Sequence, residues 1–220
     1  MSVRDNIDKL RETVPADVKI VAVSKFHSND EILEAYNDGQ RLFGESRVQE
    51  LAAKQPALPD DVKWHFVGSL QRNKVKFIAP FINLIHSLDS ERLMLEIDKQ
   101  AAANNRKISC LLQLHIADEE TKSGFSPDEC RQFLAGGKWR ECENIQFSGV
   151  MGMATYTDDQ DQVRSEFRLI KSLFDEFKSH YFSNDDNFKE ISMGMSGDYP
   201  IAIEEGATII RVGTLIFGER

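Results

Sequence analysis

Apolar positions follow two alternating rhythms along the chain. Compact apolar runs occur at 18–25 (VKIVAVSK), 40–44 (QRLFG), 63–69 (KWHFVGS), 84–88 (LIHSL), 108–116 (ISCLLQLHI), 145–153 (IQFSGVMGM), 189–195 (KEISMGM) and 207–217 (ATIIRVGTLIF). Such short runs, bounded by polar or glycine-containing stretches, predict buried strands. Between them the apolar residues recur at three- and four-residue steps, the period of a helix with one buried face. NDEILEAYNDG sets Ile32, Leu33 and Tyr36 on one face and stops at Gly39. Past the cap pair Asp89-Ser90, the next helix carries Leu93, Leu95 and Ile97, and a long one from Asp161 to about Tyr181 carries Val163, Phe167, Ile170, Phe174 and Phe177. A further helix is predicted ahead of the first strand, at about 2–13.

Strands separated by helices pair in parallel, because each crossover returns the chain to the same end of the sheet. Eight such units predict a single (β/α)8 TIM-type barrel over residues 1–220 with an extra N-terminal helix. A doubly wound open sheet is the alternative. Against it, the first strand-to-helix turn, SKFHSND, has no glycine fingerprint for a dinucleotide. After the eighth strand only IFGER remains, too short for a full last helix, and the N-terminal helix is expected to cover that gap.

Composition narrows the partners. With 41% hydrophobic and 29% charged residues the chain reads as an ordinary soluble protein, and its net charge of −9 argues against nucleic acid or an anionic membrane. No apolar run reaches the length of a membrane span, and the charged start MSVRDNIDKLRETVP has no signal-peptide core, so a cytoplasmic protein is expected. Cys110, Cys130 and Cys142 have no paired spacing and are expected in the core.

In a barrel, chemistry gathers where the strands end and the following loops converge. The first strand ends on Lys25. The seventh runs into SMGMSGD (192–198), a glycine- and serine-rich turn whose amides and Ser196 hydroxyl can face a phosphate. The eighth ends in RVGT (211–214), which adds Gly213 for close backbone approach and the Thr214 hydroxyl. Each motif alone also reads as a plain structural turn. Together they make a phosphate station beside the first strand of a closed barrel, so the Lys25 amine could reach an aldehyde on a ligand anchored there. Pyridoxal 5′-phosphate needs this set: a Schiff-base lysine, a phosphate cup, and a partner for its pyridine nitrogen, for which Arg211 is the candidate.

These residues lie in stretches that resemble the pyridoxal phosphate homeostasis proteins, whose barrel is that of the alanine racemase N-terminal domain. The stretches are VAVSK (21–25), FGES and VQE within 43–50, WHFVGSLQRNK (64–74), ETKSGF (120–125), GVMGMA (149–154), SMGMSGD (192–198) and RVGTLIFGER (211–220). The resemblance implies Lys25 as the Schiff-base lysine, Ser196, Gly213 and Thr214 at the phosphate, Met195 against the ring and Arg211 at the pyridine nitrogen. It implies a phosphate-side contact at position 46, where Ser46 stands in place of the family's usual Asn; Ser69 likewise replaces a common Pro. Lys122, in TKSG, aligns with a lysine associated with a secondary cofactor contact or transfer role, although it is expected here as a solvated loop lysine. The implied role is vitamin B6 homeostasis, with apo-enzymes as candidate recipients of the cofactor, and a monomer is expected.

Two other classes compete. A pyridoxal-phosphate racemase would need a second acid/base group facing the substrate, and Tyr156 is the one tyrosine expected near a site loop. A metal-dependent hydrolase would draw on His65, His86 and His115, but each is a lone histidine with no clustered carboxylates beside it in sequence.

Overall fold

The computed structural model describes residues 2–116 and 123–219. Its eight strands close into one parallel barrel in chain order: β1 (Lys19–Val23), β2 (Leu42–Glu45), β3 (Lys63–Phe66), β4 (Leu84–Leu88), β5 (Ile108–Gln113), β6 (Ile145–Met151), β7 (Glu190–Ser192) and β8 (Ile209–Val212). The last strand pairs with the first, Val21 standing opposite Arg211. The helices are α1 (Val3–Thr13), α2 (Asn29–Asn37), α3 (Val48–Lys54), α4 (Val75–Ile78), α5 (Glu91–Ala103), α6 (Pro127–Gly136), α7 (Gln160–Tyr181), α8 (Tyr199–Glu204) and α9 (Thr214–Phe217). All eight predicted strands are present, but most end earlier than their apolar runs. VGS, GM and the tail of KEISMGM belong to the loops beyond the strand ends, where the site lies.

Side-chain alternation along the strands separates two apolar cores. Val21, Leu84, Leu111, Met151 and Ile209, with Leu42 packed on them, come from six strands and meet inside the barrel. Their neighbours Ala22, Phe43, Ile85, Cys110, Leu112, Val150 and Ile210 face the other way and join the helices in the larger core. Two residues further along β4, β5 and β8, His86, Gln113 and Arg211 take the inner face again. A polar layer therefore stands over the inner apolar one.

The helices start where short polar side chains cap them. Ser2, Ser28 and Ser126 each accept the amide three residues on, while the acidic residue there bonds back to the cap amide. Their buried faces differ from expectation at two points. In α5 the buried stripe is Leu93, Met94, Ile97 and Ala101, and Leu95 is exposed; a four-residue step from Leu93 and Ile97 leaves position 95 on the outer face. In α7 Leu173, not Phe174, lies in the fully buried row, and Phe174 instead stacks at its edge on Phe188, with centroids 5.3 Å apart.

The expected cover over the end of β8 is present. The short α9 follows β8, and α1 lies against it, with Asn6 Nδ2 donating to the Ile216 carbonyl at 2.9 Å. All three cysteines are buried. Burial pushes the Cys130 thiol up to about 12, as suits core filling rather than reactivity. Among the described residues no helix is long and apolar enough to cross a membrane.

Candidate functional site

At the C-terminal end of the barrel a cavity of about 760 Å³ opens between the loops. Its lining includes all seven residues singled out from the sequence: Lys25, Ser46, Met195, Ser196, Arg211, Gly213 and Thr214. Arg211 stands on β8 itself and the others come from the loops after β1, β2, β7 and β8, which the closed strand order makes neighbours or near neighbours. Lys122 lies outside the described residues.

Arg211 forms the floor. Its side chain is buried, with Nη1 donating to Ser192 Oγ at 2.6 Å and Nη2 to the Gly152 carbonyl at 3.0 Å. Burial lowers its pKa to about 10, opposed by the Asp198 carboxylate, so the guanidinium stays charged at neutral pH. Ser192 Oγ also bonds His86 Nδ1 at 2.9 Å, and His86 Nε2 lies 3.0 Å from His65 Nδ1. Arginine can only donate, so Ser192 accepts from it, and the Ser192 hydroxyl is satisfied by donating a hydrogen bond to His86 Nδ1. His86 is then protonated on Nε2 and donates to His65. Burial first, then nearby cations, lowers His65 to about 3 and holds His86 well below its ordinary value. The chain Arg211–Ser192–His86–His65 is thus neutral beyond the guanidinium. The first two of the three histidines considered for a metal bond each other. Among the described residues no group of three or more metal-ligating side chains forms.

Lys25 is half-buried on the turn from β1 to α2. Next to it Phe26 adopts φ +68°, a left-handed conformation that costs a side-chain-bearing residue about 1–2 kcal/mol. Around the same cavity, from the loops after β7 and β8, Ser196 and Thr214 offer hydroxyls. At Gly197 an added Cβ would meet no atom within 4 Å, so this backbone faces open cavity and a ligand can approach it closely. Asp198 Oδ1 accepts from the Met195 amide at 2.5 Å and ties the turn back on itself, and burial raises its carboxyl pKa. Ser46 is held from behind: a Cβ at Gly68 would fall 2.3 Å from the Ser46 carbonyl oxygen, so only glycine lets the β3 loop pack there.

Sequence reasoning missed part of the lining. Met153, Thr155 and Asp158 arrive on the β6 loop, which α7 holds through Glu166: its carboxylate accepts the Thr155 amide at 2.7 Å and hydroxyl at 2.8 Å. MATYTDD is expected near the site through Tyr156, but the hold of Glu166 on Thr155 is not, since that partner lies on another element. His27, stacked on Phe217 at 4.5 Å, also lines the cavity, as does Asp198. Asp198 was legible, being part of SMGMSGD. Tyr156 reaches the rim but is 98% exposed.

The site therefore combines an amine, a permanent cation on the floor and a hydroxyl-rich, backbone-accessible wall. The donor set fits a planar, phosphorylated ligand that carries an aldehyde. Comparison with known proteins points the same way. A sequence profile of the alanine racemase N-terminal domain family matches residues 1–220. The pyridoxal phosphate homeostasis protein of Aquifex aeolicus is 41% identical over 203 residues, 92% of this chain and 87% of that one. This chain belongs to the pyridoxal phosphate homeostasis protein family. Among solved members, PipY of Synechococcus elongatus without PLP superposes with a TM-score of 0.92 at 36% identity, covering 99% of this chain and 100% of that one. PipY with PLP bound gives 0.89 at 35% identity over the same shares. The barrel is thus shared with PipY over nearly the whole of this chain.

Proposed function

We propose that this chain binds pyridoxal 5′-phosphate and holds it as a Schiff base on Lys25. The observation that carries the reading is the meeting of Lys25, Arg211 and the Ser196–Gly213–Thr214 wall around one cavity. In this reading Ser46, Ser196 and Thr214 bond the phosphate with the Gly213 and Gly197 backbone, Met195 covers one side of the ring, and Arg211 meets the pyridine nitrogen. When bound, the cofactor supplies an aldehyde and a ring that can draw electrons. Arg211, buried and charged, keeps the ring nitrogen unprotonated and so weakens that electron demand. This favours storage and delivery over turnover, and we read the protein as acting in intracellular vitamin B6 homeostasis rather than as a racemase. The exposure of Tyr156, a poor setting for a second acid/base group, supports the same choice.

The whole chain is read as one binding unit, working as a monomer in the cytoplasm, with apo-enzymes as candidate recipients. The test is the visible spectrum of purified protein titrated with pyridoxal 5′-phosphate, beside Lys25→Ala. The expected outcome is a saturable band in the parent, fixed by borohydride as a covalent adduct on the Lys25 peptide, and absent from the variant. An equal band in both would remove Lys25 from the centre, and no band in the parent would remove the cofactor.

A further inference from the structure

A lysine bonds an aldehyde efficiently only when its tether aims it, and Lys25 hangs from a turn that is strained by the left-handed Phe26. The other non-glycine residue with positive φ among those described is Asn105, a type that tolerates this conformation. Phenylalanine does not tolerate it without support, and the support lies directly behind the turn. Glu45 ends β2, and Glu50 and Lys54 stand one turn apart on α3. Lys54 is buried, and its three donor directions are all used: the Ser24 carbonyl at 2.8 Å, Glu45 Oε1 at 2.8 Å and Glu50 Oε1 at 2.6 Å. Glu45 Oε1 also accepts the Ser24 hydroxyl at 2.7 Å, and Glu50 Oε1 accepts the Phe26 amide at 2.5 Å. The Arg47 guanidinium covers the Phe26 ring, 4.5 Å from its centroid.

Both residues flanking Lys25 are therefore gripped by one cluster, although none of the three ionisable groups lines the cavity. As a source of stability the arrangement is poor, since well-packed apolar side chains serve a buried site as well or better. Glu45 shows the cost: its Oε2 is buried without a hydrogen-bond partner. Burial raises its carboxyl pKa against the pull of Lys54 and Ser24. What the cluster does uniquely is fix the main chain on either side of position 25.

We propose that Glu45, Glu50 and Lys54 are positioning residues that lock the strained 24–26 turn and so set where the Lys25 amine stands in the cavity. The proposal rests on the reading of Lys25 as the group that bonds the cofactor aldehyde. In that bond the amine nitrogen joins the aldehyde carbon, and the carbonyl oxygen leaves with the two amine protons as one water. A misplaced amine slows that attack and weakens the adduct while leaving the phosphate wall and Arg211 intact.

The test uses two variants of the full chain. Phe26→Gly frees the turn at a position where glycine is unstrained. Glu45→Gln/Lys54→Met removes the shared cation and its hold on the Ser24 carbonyl, leaving only Glu50 on the Phe26 amide and no buried carboxylate facing nothing at position 45. Each is titrated with pyridoxal 5′-phosphate and with 4′-deoxypyridoxine 5′-phosphate, which keeps the ring and phosphate but carries a methyl group in place of the aldehyde. The expected result is a loss of tenfold or more in affinity for the aldehyde and a change within twofold for the methyl compound. In parallel, ligand-free protein is reductively methylated with formaldehyde and cyanoborohydride. Lys25 is followed against the exposed Lys107 by peptide mass spectrometry, and its relative rate is expected to shift at least threefold in both variants. Equal losses for both ligands, or no loss for either, overturn the proposal. If the parent binds neither ligand, the cofactor reading fails, and the methylation ratio alone decides: an unchanged ratio overturns the positioning role.

Discussion

Two buried polar clusters flank the cavity, and they solve different problems. Across the barrel interior, Arg211 is steadied by a file of neutral groups, Ser192, His86 and His65, in which each proton has one place to go. Behind the β1 turn, Lys54, Glu45 and Glu50 are an ionic knot with one carboxylate oxygen left over. The first supports a charge that belongs to the cavity floor, so its partners gain by being neutral and fully satisfied. The second supports a backbone shape, and only strong, charge-assisted bonds can hold a phenylalanine in a left-handed conformation. Polarity beneath a site is thus specific in kind: neutral where a cation must be kept in place, ionic where a turn must be kept bent.

The sharpest way to break this contrast is to remove the knot's cation. Lys54→Met leaves Glu45 and Glu50 as neighbours without their shared donor and is expected to lower stability by about 3–5 kcal/mol. Adding Glu45→Gln should recover a large part of that loss. Urea denaturation measures both, and a single variant as stable as the parent would show the knot to be idle. On the neutral side, Ser192→Ala strands Arg211 Nη1 and His86 Nδ1 together and is expected to cost about 1–3 kcal/mol, less than the ionic break. A loss greater than that of Lys54→Met would reverse the comparison.

The smallest expected effect is in pH dependence, where the clusters have opposite signs. His65 and His86 have lowered pKa values in the fold, so below about 6.5 the unfolded chain takes up protons that the folded one refuses. Their contribution is full above 6.5 and fades as pH falls toward about 3, which amounts to about 1 kcal/mol or less per histidine between pH 7.5 and 6. Glu45 has a raised pKa, so its contribution is full below 4.5 and fades as pH rises through its folded value. His65→Asn should flatten the acid side of the urea-midpoint profile, and Glu45→Gln the side above 4.5. A parallel shift of the whole profile in either variant would refute the assignment.

The barrel was legible because its strands, helices and their order are written in local periodicity, and the cavity followed because strand ends converge by topology alone. Lys25, Arg211 and the SMGMSGD and RVGT loops could therefore be placed together from spacing. Leu95 misled because that helix was read from its cap pair and its run of strong helix formers, which do not say which leucines share a face. The two clusters were invisible for a deeper reason. Glu50 and Lys54 have the spacing of an ordinary exposed helix pair, and only the approach of the Ser24 carbonyl from another element makes them a buried grip. His65 and His86 are far apart in sequence, and each alone reads as a satisfied core residue; their bond to each other exists only once β3 and β4 pair.

The pairing of β1 with β8 also sets a timetable for the living cell. A ribosome makes the Lys25 turn early and the Arg211 strand last, and the barrel cannot close over the gap between them until Ile209–Val212 has emerged. Before β8 is made, the Lys25 amine is present without Arg211 or the loops after β7 and β8 beside it. Until β8 has paired with β1, the cavity between the Lys25 turn and Arg211 does not exist, so a chain cut before Ile209 has no closed barrel end.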